Sequence, residues 1–267
     1  MGSENEVEFE YDYDNWGEVF DVKHLIIDTK EYIVWIDSKN EVDWKTKDSY
    51  DERGHKDPDK HAYVLNQVAL LESKPREGLS EKSVSNYIRL LAESLARSLA
   101  SNYETAESLL KEAELFLEKR GAEQARIWQL TTSGIAVGVI CLIAAVCWLA
   151  RTYVISFIGI EMFVTMYAVF GGAIGALMSI AIRLGNERLD CYAGKMTHQL
   201  ESLFKIIVGM ISGLIVALSL RSEIFLPTIS LSERSNELIV FFGILSGISE
   251  RWIPSISKKI EDITQSK

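Results

Sequence analysis

The chain has 267 residues, a formal net charge of −10 and a hydrophobic content of 48%. Its acidity is confined to the start, where residues 1–60 hold 18 acidic against 8 basic side chains. A start of this kind argues against a nucleic-acid surface or a polybasic lipid anchor. It predicts a solvated and partly flexible segment.

The first 20 residues are acidic and lack an apolar run, so no signal peptide is expected and the N-terminus is predicted to be cytoplasmic. Residues 25–37 contain two β-rich patches, LII and YIVWI, which could form a short hairpin or pair with a partner. The stretch 37–61 that follows is polar, and we interpret it as a linker.

Helical patterning begins near His61, and the first short helix should end before the Lys74-Pro75 pair. Either Ser80 or Ser83 could cap a second helix, and Asn102 could cap a third. No proline interrupts 103–150, so the third helix is expected to continue into the first long apolar segment, with Gly121 as a candidate hinge. The apolar repeats are too short to require a coiled coil, which favours a plain helical stalk over a coiled-coil switch.

Four apolar segments follow, starting with a span from Trp128 to Trp148. Twenty residues of helix cover roughly 30 Å, the thickness of the hydrocarbon layer, and tryptophans favour its two edges. In the second segment Glu161 and Arg183 bracket 21 uncharged residues, which leaves 152–160 as a turn and an interfacial stretch.

The third span covers about 204–226, and the fourth begins near Leu238 with 12 uncharged residues before Glu250. That short length allows a re-entrant segment. Extending the fourth segment through Trp252 to Pro254 gives a full span, and we prefer this interpretation.

Each apolar segment carries two glycines four residues apart, a spacing that opens a flat stripe on a helix and lets another backbone approach closely. Glycine is also common in membrane helices in general. Its recurrence in all four segments favours a packed bundle or an oligomer. The candidate helix-packing residues are Gly134, Gly138, Gly171, Gly175, Gly209, Gly213, Gly243 and Gly247.

Basic residues near the segment ends number twelve on the proposed inner side and three on the outer side. This asymmetry predicts four spans with both termini in the cytoplasm. The domains expected are an acidic N-terminal segment, a cytoplasmic helical region, a four-span transmembrane domain and a cytoplasmic tail. Their bounds are 1–60, 61–126, 127–256 and 257–267. The predicted fold class is an all-α membrane protein, a four-helix transmembrane bundle preceded by a mostly helical region with a possible short β-hairpin.

Ionisable residues close to or within the spans are candidates for function. They are Glu161, Arg183, Arg221, Glu250 and Arg251. Interfacial snorkelling is the preferred explanation for Arg183 and Arg251 and an equal alternative for Glu161 and Arg221. Small hydroxyl residues in the spans could line a wet path or form hydrogen bonds between helices. They are Thr165, Ser179, Ser212, Ser219, Ser246 and Ser249.

No phosphate-binding loop, nucleophile elbow, kinase signature or zinc-spaced set of ligands is present in the sequence. His55 and His61 with Asp57 and Asp59 could gather a metal, but this run is more simply a polar loop. The sequence therefore predicts a non-enzyme with no catalytic residue, no metal and no cofactor.

Three stretches, ARIWQLT (125–131), GAIGALMSIAIRL (172–184) and GILSGISERWIP (243–254), resemble a loose group of uncharacterised bacterial four-pass membrane proteins with a helical cytoplasmic N-terminal region. Their layout is similar to that of membrane effectors in antiphage defence systems. The resemblance implies an oligomeric effector in the bacterial inner membrane. Its cytoplasmic region would sense a signal or protein partner, and its bundle would permeabilise or depolarise the membrane. The alternatives are a constitutive ion channel or small transporter, and a membrane scaffold that recruits a soluble partner.

Overall fold

The computed structural model of the protein describes residues 13–17, 21–184, 189–221 and 235–248. The chain is mostly helical, as predicted, with one three-stranded antiparallel sheet. It divides into two compact units. The N-terminal unit contains the described residues up to Gln124 together with Asp190–Tyr192, and the helical unit contains the rest from Ala125 onward.

A four-residue helix, α1 at Tyr13–Trp16, precedes the sheet in the chain. The sheet lies in the N-terminal unit and has the order β1-β2-β3, with β1 at His24–Asp28, β2 at Tyr32–Ile36 and β3 at Val42–Thr46. Strands β1 and β2 form the predicted hairpin. All five residues of β2 are buried, because each face of this central strand packs against a separate apolar cluster. A continuous apolar run such as YIVWI is typical of a strand covered on both faces.

The interpretation of 37–61 as a polar linker is wrong, because β3 and the helix α2, at Asp48–Arg53, lie within it. Strand β3 pairs with β2 through backbone hydrogen bonds, and most of its side chains are exposed. Its residues VDWKT alternate between apolar and polar, as those of a half-buried strand do, and this signal was missed within the polar stretch. The buried Tyr50 fixes α2 to the core by donating a 2.6 Å hydrogen bond to Leu99 O.

Two amphipathic helices complete the core, α3 at Pro58–Glu72 and α4 at Glu81–Leu99. Ser80, one of the two candidates, caps α4 by accepting a hydrogen bond from the backbone N–H of Ser83 at 3.2 Å. The apolar face of this helix is buried against the sheet and α3. Its fully buried members include Tyr87, Ile88, Leu91 and Leu95.

His61 makes the stability of the N-terminal unit dependent on pH. It is only 6% exposed, its Nδ1 lies 2.8 Å from Ser98 Oγ, and its ring stacks on His55 with centroids 3.6 Å apart. Burial, and then the neighbouring His55, lowers the pKa of His61 to about 4. Below about pH 6.5 the unfolded chain binds a proton that the folded chain excludes, so stability falls as pH drops towards 4.

We therefore expect this histidine to remove about 3 kcal/mol of stability between pH 6.5 and 4. Thermal unfolding of the full chain in detergent at a series of pH values would measure the slope. His61→Gln should flatten it. An unchanged slope in this variant would assign the pH dependence to other groups.

A single helix, α5, runs for 47 residues from Tyr103 to Leu149. Asn102 caps it as predicted, accepting from Thr105 N at 3.4 Å. The helix continues through Gly121, so the predicted hinge at this glycine is wrong. Instead, a Cβ at Gly121 would lie 2.8 Å from Cys191 O, within the N-terminal unit. This glycine permits close approach of the 190–192 segment.

The helical unit contains the C-terminal part of α5 and three further helices, α6 at Arg151–Arg183, α7 at Lys195–Arg221 and α8 at Ser235–Ile248. Helix α6 is broken at Gly159, where φ is 80° and ψ is 161°. Residues on both sides of Gly159 are helical, so the turn predicted within 152–160 is replaced by two helical pieces that meet at this glycine. Among the described residues, three helices, α5, α6 and α7, are long and apolar enough to cross a membrane.

Candidate functional site

The glycine pair of α7 packs against α6 with backbone in direct contact. A methyl group added at Gly209 would lie 2.6 Å from Gly172 O and the same distance from Ala176 Cβ. One added at Gly213 would collide with Ala168 O. The two helices therefore touch along a stripe of small residues, where no side chain would fit at Gly172, Gly209 or Gly213.

The glycine pair of α8 makes the same kind of contact with α6. A methyl group at Gly243 would lie 2.6 Å from Ala168 O, and one at Gly247 would collide with Gly172 O. On α6, a methyl group at Gly175 would collide with Ile244 O, and one at Gly171 would lie 2.9 Å from Ile244 Cγ1. Helix α6 is thus in backbone contact with both α7 and α8.

The residue at the centre of these contacts, Gly172, was not singled out from the sequence. It touches Gly209 of α7 and Gly247 of α8. The sequence does contain a pattern that predicts this contact. A second series of small residues with a spacing of four lies one position from the Gly171/Gly175 pair and consists of Ala168, Gly172 and Ala176.

The first glycine pair differs from the other three. Nothing lies within 4 Å of a Cβ built at Gly134 or at Gly138, and both positions are exposed. The helix still packs in its own unit through another face, since Val137 is buried against α6 and α7 and Tyr167 Oη donates a 2.6 Å hydrogen bond to Ala144 O. The exposed stripe of α5 is therefore uncovered by the described residues of one copy of the chain.

Glu161 and Arg221, two of the candidate charges, lie together. Arg221 Nη1 is 3.4 Å from Glu161 Oε2, and its Nη2 also donates to Glu161 O. The Glu161 side chain is 84% exposed, against 24% for Arg221. Such an exposed pair contributes at most about 1 kcal/mol in water. Glu250 and Arg251 lie outside the described residues.

Arg183, the remaining candidate charge, lines a cavity of about 290 Å³ bounded by α6, α7 and α8. Ser179, Ser212 and Ser246 also line it. Ser212 donates to Val208 O at 2.8 Å and Ser246 to Gly243 O at 2.7 Å. These two hydroxyl groups therefore bond within their own helices, not across a helix contact. Ser249 lies outside the described residues.

A partly buried polar cluster beside this cavity was missed in the sequence. Gln129 is 1% exposed and its Nε2 lies 3.3 Å from Glu201 Oε2, while Lys205 Nζ is 3.0 Å from Glu201 Oε1. Ser133, one turn along α5, is fully buried, and neither its Oγ nor Gln129 Oε1 has a hydrogen-bond partner among the described residues. The four-residue spacings of Gln129 with Ser133 and of Glu201 with Lys205 could have indicated two facing polar stripes.

In the N-terminal unit, the histidines and aspartates considered for a metal have structural contacts. His55 and His61 stack on each other, and Asp57 caps α3 by accepting from Lys60 N at 3.2 Å. No group of three or more possible metal ligands occurs among the described residues. The unit also contains a polar cavity of about 460 Å³, whose lining includes Tyr50, Arg53 and Lys56.

Comparison of the chain with protein-family models, with curated proteins and with solved structures finds no match.

Proposed function

We propose that the protein is an oligomeric inner-membrane effector. In this proposal the N-terminal unit is cytoplasmic and responds to a signal or protein partner, and the helical unit then permeabilises or depolarises the membrane, as in antiphage defence. The observation that carries the proposal is α5. Its N-terminal part contributes Ala106, Leu110 and Leu117 to the core of the N-terminal unit. The same unbroken helix is one of the three described helices that are long and apolar enough to cross a membrane.

Two features of the N-terminal unit support its proposed response to a small ligand or a protein partner. Its polar cavity has room for a small ligand, since binding sites of this kind usually occupy 300–1,000 Å³. Large apolar side chains also remain exposed on its surface, including Trp44, Tyr63 and Leu70 at 43%, 50% and 58%. Tyr63 and Leu70 lie seven residues apart and so share one face of α3, which makes that face a candidate for contact with a partner protein.

The open stripe on α5 supports assembly. The described glycine pairs of α6, α7 and α8 are covered by backbone from the same chain, whereas Gly134 and Gly138 are not. Around them, Ile135, Val139 and Leu142 are more than half exposed, which suits either lipid or another copy of α5. In the proposal, a second copy packs against this stripe.

We therefore expect Gly134→Ile and Gly138→Ile to dissociate the oligomer, because a β-branched side chain would hold two backbones apart. The mass of the purified protein in detergent would measure this. Val139→Ile, which adds one methylene group on the adjacent exposed face, is the matched control and should assemble like the natural chain. Equal assembly of all four proteins would show that the stripe faces lipid.

The permeabilising activity is tested with a potential-sensitive dye in bacteria induced to express the protein. High expression favours the assembled form by mass action, so cells with the natural chain should depolarise and cells with Gly134→Ile should not. An unchanged potential at matched expression of the natural chain would contradict the effector proposal.

The alternative of a membrane scaffold is favoured by the exposed apolar residues of the N-terminal unit. It predicts capture of a soluble protein with no change in membrane potential. A constitutive channel or small transporter would instead use the cavity between α6, α7 and α8, and its flux would need neither a trigger nor the N-terminal unit.

A further inference from the structure

We infer that Asp190–Tyr192 form a latch, a segment of the connection between α6 and α7 that Lys74 holds on the N-terminal unit and that opens without unfolding of either unit. The inference deepens the proposed function, because it names the contact through which the N-terminal unit restrains α7. It rests on the proposed function only for its effect on membrane potential. The docking of the latch is tested independently of that effect.

The latch lies between two helices of the helical unit in the chain. Helix α6 ends at Arg183 and α7 begins at Lys195. The latch is nevertheless part of the N-terminal unit. Only Ala193 and Gly194 separate it from α7. Docking or release of the latch therefore acts directly on the first turn of α7.

Lys74 is the residue that holds the latch. Its Nζ donates a 3.0 Å hydrogen bond to Tyr192 Oη and lies 4.8 Å from the centre of the Tyr192 ring. The same ammonium group is 2.6 Å from Glu114 Oε1 on α5. Burial by itself lowers the pKa of Lys74, but the bonds to Glu114 and Tyr192 outweigh burial and raise this pKa. Lys74 is therefore charged while the latch is docked.

The latch has further contacts that are only partly buried. Tyr192 packs against the core of the N-terminal unit, and its backbone N–H donates to Asp190 Oδ1 at 3.0 Å. The backbone of Cys191 lies against α5, where a Cβ at Gly121 would be 2.8 Å from Cys191 O. Cys191 and Tyr192 keep part of their surface exposed. A three-residue segment with such contacts opens at a lower free energy than the core on which it packs.

Lys74 also connects the latch to the exposed face of α3. This helix ends at Glu72, and the backbone N–H of Lys74 donates to Leu71 O at 3.1 Å. Leu70, an exposed apolar residue, lies in the same last turn. A partner bound to the face of Tyr63 and Leu70 therefore acts within one turn of the residue that holds the latch. Binding there draws Lys74 away from Tyr192 and releases the start of α7.

The test measures how often the latch opens, with the thiol of Cys191 as the probe. The full chain, purified in detergent, is treated with N-ethylmaleimide, and alkylation of each cysteine is followed by mass spectrometry of its peptides. Burial raises the pKa of the Cys191 thiol, which slows its reaction in the docked latch. The rate at Cys191 therefore follows the population of the open state.

Lys74→Met removes the charge and keeps a long side chain. It should raise the alkylation rate of Cys191 about tenfold, the effect of losing a hydrogen bond to a charged group. Gly121→Ala tests the docking without a change of charge, because its methyl group would press on Cys191 O while alanine favours the helix. It should also raise the rate.

Lys60→Met is the matched control, because Lys60 is a lysine of α3 whose ion pair, at 3.5 Å, is with Asp57 and not with the latch. Cys191 should react in this variant at the natural rate. Cys141, which is exposed on α5, is an internal reference and should react equally in all the proteins.

An unchanged rate at Cys191 in both Lys74→Met and Gly121→Ala would overturn the latch, as would an equal increase in Lys60→Met. A parallel increase at Cys141 would also overturn it, because the helical unit would then have loosened as a whole.

The effect on membrane potential is measured in induced cells. Lys74→Met should depolarise the membrane at a lower protein abundance than the natural chain. If both proteins depolarise the membrane at the same abundance, the proposed function stands and the restraint of α7 by the latch is overturned. If neither protein depolarises the membrane at any abundance, the proposed function fails, while faster alkylation of Cys191 still supports the latch.

Discussion

Gly172→Ala and Gly175→Ala are expected to disrupt the helical unit, although each adds only one methyl group. At Gly172 the new Cβ would collide with Gly209 O and lie 2.9 Å from Gly209 C. At Gly175 it would collide with Ile244 O and lie 2.9 Å from Gly247 Cα. The obstructing atoms belong to backbone, which cannot rotate away as a side chain can, so whole helices must separate.

Overpacking of a core usually lowers the free energy of unfolding by about 1–3 kcal/mol. Because the neighbouring backbone here is rigid, we expect a loss of about 3 kcal/mol or more for each variant. Loss of the well-folded fraction in detergent, together with a lower unfolding temperature, would measure it. Gly134→Ala and Gly138→Ala are matched controls for the stability of the single chain, because no described residue lies within 4 Å of a Cβ at either position and alanine is the better helix former. Their oligomer mass is measured separately, since the proposed second copy packs against these two glycines. If all four variants unfolded alike, close packing along α6 would not be what stabilises this unit.

Glu123→Pro is expected to abolish depolarisation in induced cells while leaving the protein folded and assembled. Glu123 lies in α5 just before the boundary between the two units, is exposed, and places its carboxylate 2.7 Å from Arg120. Proline there removes one backbone hydrogen bond and kinks the helix, at a cost of about 3 kcal/mol. No core residue is lost, so the substitution interrupts only the continuity of α5.

Glu123→Ala is the control, since it removes the ion pair with Arg120 and keeps the helix. The two variants should have similar abundance and oligomer mass, and only the proline variant should fail to depolarise. Depolarisation by Glu123→Pro at the natural level would show that the helical unit acts without an intact α5, which favours the constitutive channel over the effector.

The sequence by itself determined the features that depend on local chemistry. Ser80 and Asn102 cap their helices because a side-chain oxygen before a helix satisfies a free backbone N–H wherever the helix lies. The β1–β2 hairpin follows from two β-rich runs separated by a short turn. The absence of proline from 103–150 predicted the unbroken α5.

Only the tertiary structure decided which residues pack against each helix face. Four glycine pairs look the same in the sequence, but those of α6, α7 and α8 are covered by backbone while Gly134 and Gly138 are open. A spacing of four shows that two residues share a helix face and carries no information about what covers that face. For the same reason the central position of Gly172 was missed. The contact of Gln129 with Glu201 joins residues 72 positions apart, and only the fold brings them together.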